Sequence, residues 1–135
     1  MPYITITVAG QTLDQERTNT LIAETTRLMH EVMGKRVDVT SVRVEEVSGH
    51  RWAIGGVLVG EGGSAAAHMD IKVTAGTNTA NEKAEMVAAG YRLMQDVLGT
   101  IYEACYVVIH ELSADAWGFG GQTQAARATA LRGDI

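Results

Sequence analysis

Residues 2–11 read PYITITVAGQ and residues 67–76 read AHMDIKVTAG, and these stretches hold the same place in a chain written twice. In the first, Ile4, Ile6 and Val8 alternate with Thr5 and Thr7, the period of a strand with one buried face. In the second, Met69, Ile71 and Val73 keep the same phase. A shift of 65 residues carries one onto the other without a gap and holds well beyond them. It lays Arg27-Leu28-Met29 on Arg92-Leu93-Met94, Val32 and Gly34 on Val97 and Gly99, and Val42 and Val44 on Val107 and Ile109. Glu46, Ser48, Trp52, Gly55 and Gly56 fall on Glu111, Ser113, Trp117, Gly120 and Gly121. An internal repeat of this kind decides the architecture before any single element does.

Each copy reads strand, helix, strand, then a short Trp-x-(Ile/Phe)-Gly-Gly segment. The first helix is expected over about residues 14–33, where Leu21, Ile22, Thr25, Leu28, Met29, Val32 and Met33 recur at helical spacing. Gly34 supplies a stop signal. In the second copy Thr79 and Glu82 have capping-box spacing, Met86, Val87, Leu93, Met94, Val97 and Leu98 form the stripe, and Gly99 ends it. The returning strands are expected at residues 40–47 and 105–112. A strand, a crossover helix and a returning strand make a right-handed βαβ unit with parallel strands. The expected fold is therefore α/β (α+β): two tandem βαβ units forming a four-stranded mixed sheet with two helices on one face. The units span 2–60 and 67–122, with 61–66 as linker and 123–135 as an Ala-rich tail, either a short helix, a wrap onto a neighbour or disordered. Residues 57–67 read as an edge strand running into small residues. With nothing left to cover the second sheet face, an uncovered apolar face and self-association are expected.

Composition narrows the function classes. The chain has 135 residues, 46% of them apolar and only 5% aromatic, which suits a mainly aliphatic core. A net charge of −5 and the absence of a basic run argue against nucleic acid or an anionic membrane as partner. No apolar run reaches spanning length. Cys105, the one cysteine, has no internal partner and reads as a buried strand thiol in a reducing compartment, so a cytoplasmic location is expected. His30, His50, His68 and His110 are dispersed without metal-ligand spacing, and no metal or cofactor is expected. The glycine pairs lack the context of a nucleotide-binding loop. Initiator methionine is commonly removed before a compact proline, which would leave Pro2 as a secondary amine held by a strand; the plainer role for Pro2 is that of a first strand residue.

Taken in order, the near-initiator Pro2, Gly10-Gln11-Thr12-Leu13-Asp14-Gln15, Thr40-Ser41-Val42-Arg43-Val44, Trp52-Ala53-Ile54-Gly55-Gly56 and the stretch VVIHELSADAWGFGG at 107–121 carry a resemblance. The chain resembles the tautomerase superfamily, and within it a fused (tandem) 4-oxalocrotonate tautomerase. The resemblance spans about residues 2–121. It implies a cofactor-independent isomerase that moves a proton between enol and keto forms of a small 2-oxo or 2-hydroxydienoate acid. Pro2 would then be the general base and acid, and Arg43 would bind a carboxylate and polarise a carbonyl oxygen. Arg43 could otherwise pair with Glu45. Trp52 would be the aromatic wall of the site, or core. Gln11 stands where the family usually has a carboxylate-binding arginine, which puts a dicarboxylate substrate in question, and Lys72 on the polar face of the third strand is a candidate replacement.

The second copy has Ala67 and Val108 where the proline and arginine would be, so one site per chain is expected, with the other copy as scaffold or site wall. Glu46 and Glu111 occupy equivalent strand ends. A glutamate like Glu111, followed by Leu112-Ser113-Ala114, activates water in related dehalogenases, so a hydratase or hydrolytic dehalogenase is one alternative. A catalytically silent protein of this fold, if Met1 is retained, is the other. Three such chains would equal the six-copy assembly of the short relatives, and a homotrimer binding a small carboxylate is expected.

Overall fold

Strand β1 (Tyr3–Ala9) lies in the interior of a four-stranded sheet, paired on both sides, and its alternate residues Ile4, Ile6 and Val8 are all fully buried. The structure is a computed structural model that describes residues 2–133, the last three as backbone alone. Met1, whose removal is expected, and the final two tail residues lie outside the described residues.

After β1, helix α1 (Gln15–Glu31) starts where Asp14 accepts a hydrogen bond from the Arg17 amide at 2.8 Å. It presents Leu21, Thr25, Leu28 and Met29 to the sheet, and β2 (Ser41–Val47) returns parallel to β1. A two-residue hairpin, β3 (Ala53–Ile54) with β4 (Val57–Leu58), and a one-turn helix α2 (Val59–Gly62) close the first copy. Strand β5 (Ala66–Thr74), helix α3 (Ala80–Leu98) and strand β6 (Tyr106–Leu112) repeat the plan. Both halves of the Thr79–Glu82 capping box form, and Gly34 and Gly99 take positive φ just beyond the two helices. The second hairpin pairs β7 (Gly118–Phe119) with β8 (Gln122–Thr123), and the tail forms α4 (Gln124–Gly133).

The sheet order is β2-β1-β5-β6, parallel within each copy and antiparallel where β1 meets β5. Thr5 pairs with Asp70, its own equivalent at the shift of 65, so a pseudo-twofold axis passes through that pair. Met69, Ile71 and Val73 continue the apolar floor, and α1 and α3 pack on it and on each other. The helix ends are tied across the copies. Gln11 Nε2 donates to the Leu98 carbonyl at 2.5 Å, and Asn78 Nδ2 donates to the Met33 carbonyl at 2.8 Å.

Two expectations are corrected. Residues 57–58 are not an edge strand of the main sheet; they pair with residues 53–54, since the Gly55-Gly56 turn, at φ 62° and 79°, folds the chain straight back. The uncovered sheet face is not apolar. Beside Tyr106 and Val108 of β6 it carries Tyr3, Thr5 and Thr7, Ser41, Arg43 and Glu45, His68, Asp70 and Lys72, and His110, because strand alternation sends the polar residues away from the helices. Cys105 is buried as expected, but it lies one residue before β6 and accepts from the Ala67 amide at 3.3 Å.

Lys35 is a buried charge, 8% exposed, with Nζ donating to Thr77 Oγ1 at 2.9 Å. Burial pushes its pKa below the ordinary lysine value, while Glu82 acts in the opposite direction. An unfolded lysine titrates near ~10.4. Between the lowered native pKa and that value the unfolded chain binds more protons, so stability rises with pH there. Below the native pKa the cost of burying the charge is present in full. Urea titrations of wild type and Lys35→Met at pH 7 to 10.5 should show wild type gaining on the variant as pH rises. Parallel curves would mean that Lys35 is solvated.

Candidate active site around Pro2

Antiparallel pairing of β1 with β5 brings the start of one copy to the end of the other. Tyr3 pairs with Lys72, and the hairpin that follows β6 therefore stands beside Pro2. The cleft there, of about 300 Å³, is lined by Pro2, Tyr3, Ser41 and Arg43 from the first copy and by Trp117, Gly118, Phe119 and Gln124 from the second. Pro2 is buried, and its carbonyl accepts from the Ser41 amide at 3.2 Å, which fixes it in register with β2.

Arg43 follows Ser41 by two residues and so stands on the same face of β2, one step deeper along the sheet. Its guanidinium pairs with Glu45 and donates to the Tyr3 hydroxyl at 3.4 Å. Hydrogen bonding to Arg43, and then to Thr5, holds the Tyr3 phenol below its ordinary pKa, with Lys72 adding to the effect. The Lys72 ammonium sits 5.7 Å from the Tyr3 ring centroid. The second-copy wall is anchored separately, for Trp117 Nε1 donates to Thr74 Oγ1 at 3.1 Å. Arg127 lies over the Phe119 ring at 3.7 Å and donates to the Phe119 carbonyl at 2.9 and 3.3 Å. A guanidinium and two aromatic rings beside a buried proline can desolvate and hold a small anion.

Of the residues singled out from sequence, Pro2 and Arg43 come together in this cleft. Gln11, Trp52 and Glu111 stand elsewhere in the same chain. Gln11 is beyond the far end of β1, roughly 20 Å of strand away, where it also accepts from Arg17 at 2.6 Å. Trp52 is half-buried against the core in the other hairpin, next to α2, whose Val59 packs on Gly10. Glu111 pairs with Val73 and bonds Lys83 at 2.8 Å. That bond holds its carboxyl below the ordinary range, helped by the Gly76 amide. Trp117, Phe119 and Gln124 were not singled out for this site. The shift that equates Trp52 with Trp117 was a signal for them once the antiparallel join was known.

The sequence model of the Tautomerase family, described as tautomerase enzyme, matches residues 2–62 and again 68–127. The chain belongs to the tautomerase family. This tautomerase is 34% identical over 59 residues to the probable tautomerase K2 of Dickeya dadantii (strain 3937), a match covering 44% of the chain and 88% of that relative. It is similar to the crystal structure of native fused 4-OT with a TM-score of 0.83 at 23% identity, covering 93% of this chain and 98% of that one. It is also similar to a fused 4-OT wild type symmetric trimer, with a TM-score of 0.81, 17% identity and the same 93% and 98% coverage. A macrophage migration inhibitory factor-like protein from Entamoeba histolytica has a TM-score of 0.74 at 20% identity, over 90% of this chain and 97% of the other. Family and fold together give the tautomerase a tautomerase-type function, on the two-copy plan of the fused 4-OT structures.

Gly118 tests how closely the second hairpin forms the cleft. A Cβ there would fall 1.9 Å from the Gln122 carbonyl oxygen, which is backbone and cannot swing aside. Gly118→Ala should therefore open β7–β8 and move Trp117. In a Trp52→Phe background, where Trp117 is the remaining tryptophan, its fluorescence should shift to the red and stability should fall by about 1–3 kcal/mol. An unchanged spectrum would show that the hairpin does not hold Trp117.

Proposed function

We propose that this tautomerase is a cofactor-independent isomerase that interconverts enol and keto forms of a small 2-oxo or 2-hydroxydienoate acid. Pro2, freed by removal of Met1, acts as general base and acid. The observation that carries this reading is the burial of Pro2 in a cleft it shares with Arg43 and two aromatic walls. An unperturbed α-amino group titrates near ~7.7–8.0, and burial together with a neighbouring guanidinium disfavours the protonated amine. The amine is then free at neutral pH to take a proton. It takes the proton of the enol hydroxyl, the oxygen's electron pair closes the carbonyl double bond, and the carbon–carbon π pair takes a proton from the prolinium to form the new C–H bond. The ring of proline limits the directions its nitrogen can face.

Arg43 binds the carboxylate and stabilises the oxygen on which charge develops, exchanging its contact with Glu45 for the substrate. Trp117 and Phe119 exclude water and strengthen both interactions. The repeats at 2–60 and 67–122, joined by 61–66, then play unequal parts, the second giving walls rather than a base. Its Ala67 is an internal residue of β5 with its nitrogen in a peptide bond. We further propose a homotrimer, like the fused 4-OT trimers, and a cytoplasmic location. Gln11, Trp52 and Glu111 reach substrate only across a boundary between chains in that assembly. Glu111, tied to Lys83, is a poor base for water addition in its own chain.

Intact mass is the first measurement: protein made without added N-terminal residues should lack the initiator, and full retention would turn the reading toward a silent site. Ketonisation of phenylenolpyruvate should then be catalysed. Pro2→Ala should lower kcat by about 10²–10⁴-fold, since it leaves a primary amine without the ring that limits its orientation. Arg43→Ala should raise KM and lower kcat together, because the contact is made in both ground and transition states. Full activity in Pro2→Ala would sink the mechanism.

A further inference from the structure

The two copies differ at the places where their clefts should be chemically alike. Pro2 and Arg43 in the first copy face the Trp117 hairpin, and their equivalents in the second copy are Ala67 and Val108. A third difference lies in the opposite copy. Gln124, in the wall of the Pro2 cleft, is the equivalent of Val59, which is 2% exposed and part of the core. Thus the cleft with the proline has a carboxamide at the place where the other copy has a packed valine.

Gln124 is well placed and unsatisfied. It is the first residue of α4, and its amide donates to the Trp117 carbonyl at 2.9 Å, so the second hairpin fixes its backbone. Its side-chain nitrogen Nε2 is shielded from solvent and meets no acceptor among the described residues. A shielded donor without an acceptor destabilises the free protein, and native structures keep few of them. The Trp117 and Arg43 side chains of the cleft are engaged, Trp117 Nε1 with Thr74 and Arg43 with Glu45 and Tyr3. One helical turn after Gln124, Arg127 braces Phe119 from behind, so the wall that holds the amide is itself fixed.

We propose that Gln124 is a substrate-binding residue whose carboxamide, turning about its terminal bond, donates to the carbonyl or enolate oxygen of a 2-oxo acid bound beside Pro2. The proposal rests on the reading of the Pro2 cleft given above, but not on turnover. The donor has no protein acceptor among the described residues, so a bound oxygen supplies one, and its contribution falls on binding and on the oxygen that gains charge.

Gln124→Val copies the other repeat and is the decisive variant. It removes a donor that has no partner in the free protein, so the urea midpoint should be equal to or above that of wild type. Phenylpyruvate, the keto acid, should bind on the order of tenfold more weakly by calorimetry, and kcat/KM for phenylenolpyruvate should fall by about ten- to a hundredfold. Gln124→Glu, of the same size but repelling the acid, should lose at least as much. A Gln124→Val protein that binds phenylpyruvate as wild type does, or that is destabilised by the change, overturns the proposal, as does wild type that fails to bind phenylpyruvate. If wild type binds phenylpyruvate but turns over no enol, the proposed reaction falls, and weaker binding by Gln124→Val still upholds the role of Gln124.

Discussion

The antiparallel contact between β1 and β5 is the constraint on which the rest depends. Thr5 faces Asp70, its own equivalent in the other copy, and every later relation between the halves follows from that register. Two parallel βαβ units joined in this way point their first strands in opposite directions. What stands beyond the end of one first strand therefore stands over the beginning of the other. The cleft beside Pro2 is consequently a product of both copies, and neither half alone contains it.

A core shared by two copies explains how they came to differ. On the helix side Ile4, Ile6 and Val8 and their equivalents Met69, Ile71 and Val73 are fully buried, and any change of phase would open the interior. The two ends of the β1–β5 pair carry no such burden, so their chemistry can part company without cost to the fold. Ala67 inside a strand can pack but cannot present an amine, and Val108 can pack but cannot hold an anion. The same freedom gives Gln124 a place that a valine fills in the other copy.

The open side of the sheet shows a different economy of residues. Tyr3, Arg43, Glu45 and Lys72 pair among themselves beside the cleft, and His68 and His110 meet Asp70 near the pseudo-twofold axis. Charges on such a face satisfy one another while it is bare. They also offer polar partners when another chain lies on it, so association through this face would be a matter of matching charges more than of burying apolar area.

From the sequence came the repeat, the four strands, both long helices with their stops and the capping box of the second, while Pro2 and Arg43 were singled out through the family resemblance. The elements are legible because burial imposes a period on local sequence, two for a strand and 3.6 for a helix, and because Thr79, Gly34 and Gly99 act within a few residues of their own positions. The composition of the cleft was not legible. Trp52 precedes a glycine pair just as Trp117 does, and only the antiparallel join places Trp117, Phe119 and Gln124 over Pro2 while Trp52 goes to the opposite end. Gln11 likewise lies near Pro2 in sequence but is separated from it by the whole length of an extended strand. Contacts between residues more than a hundred positions apart depend on which way two strands run, and a period that repeats along each strand carries no information about that direction.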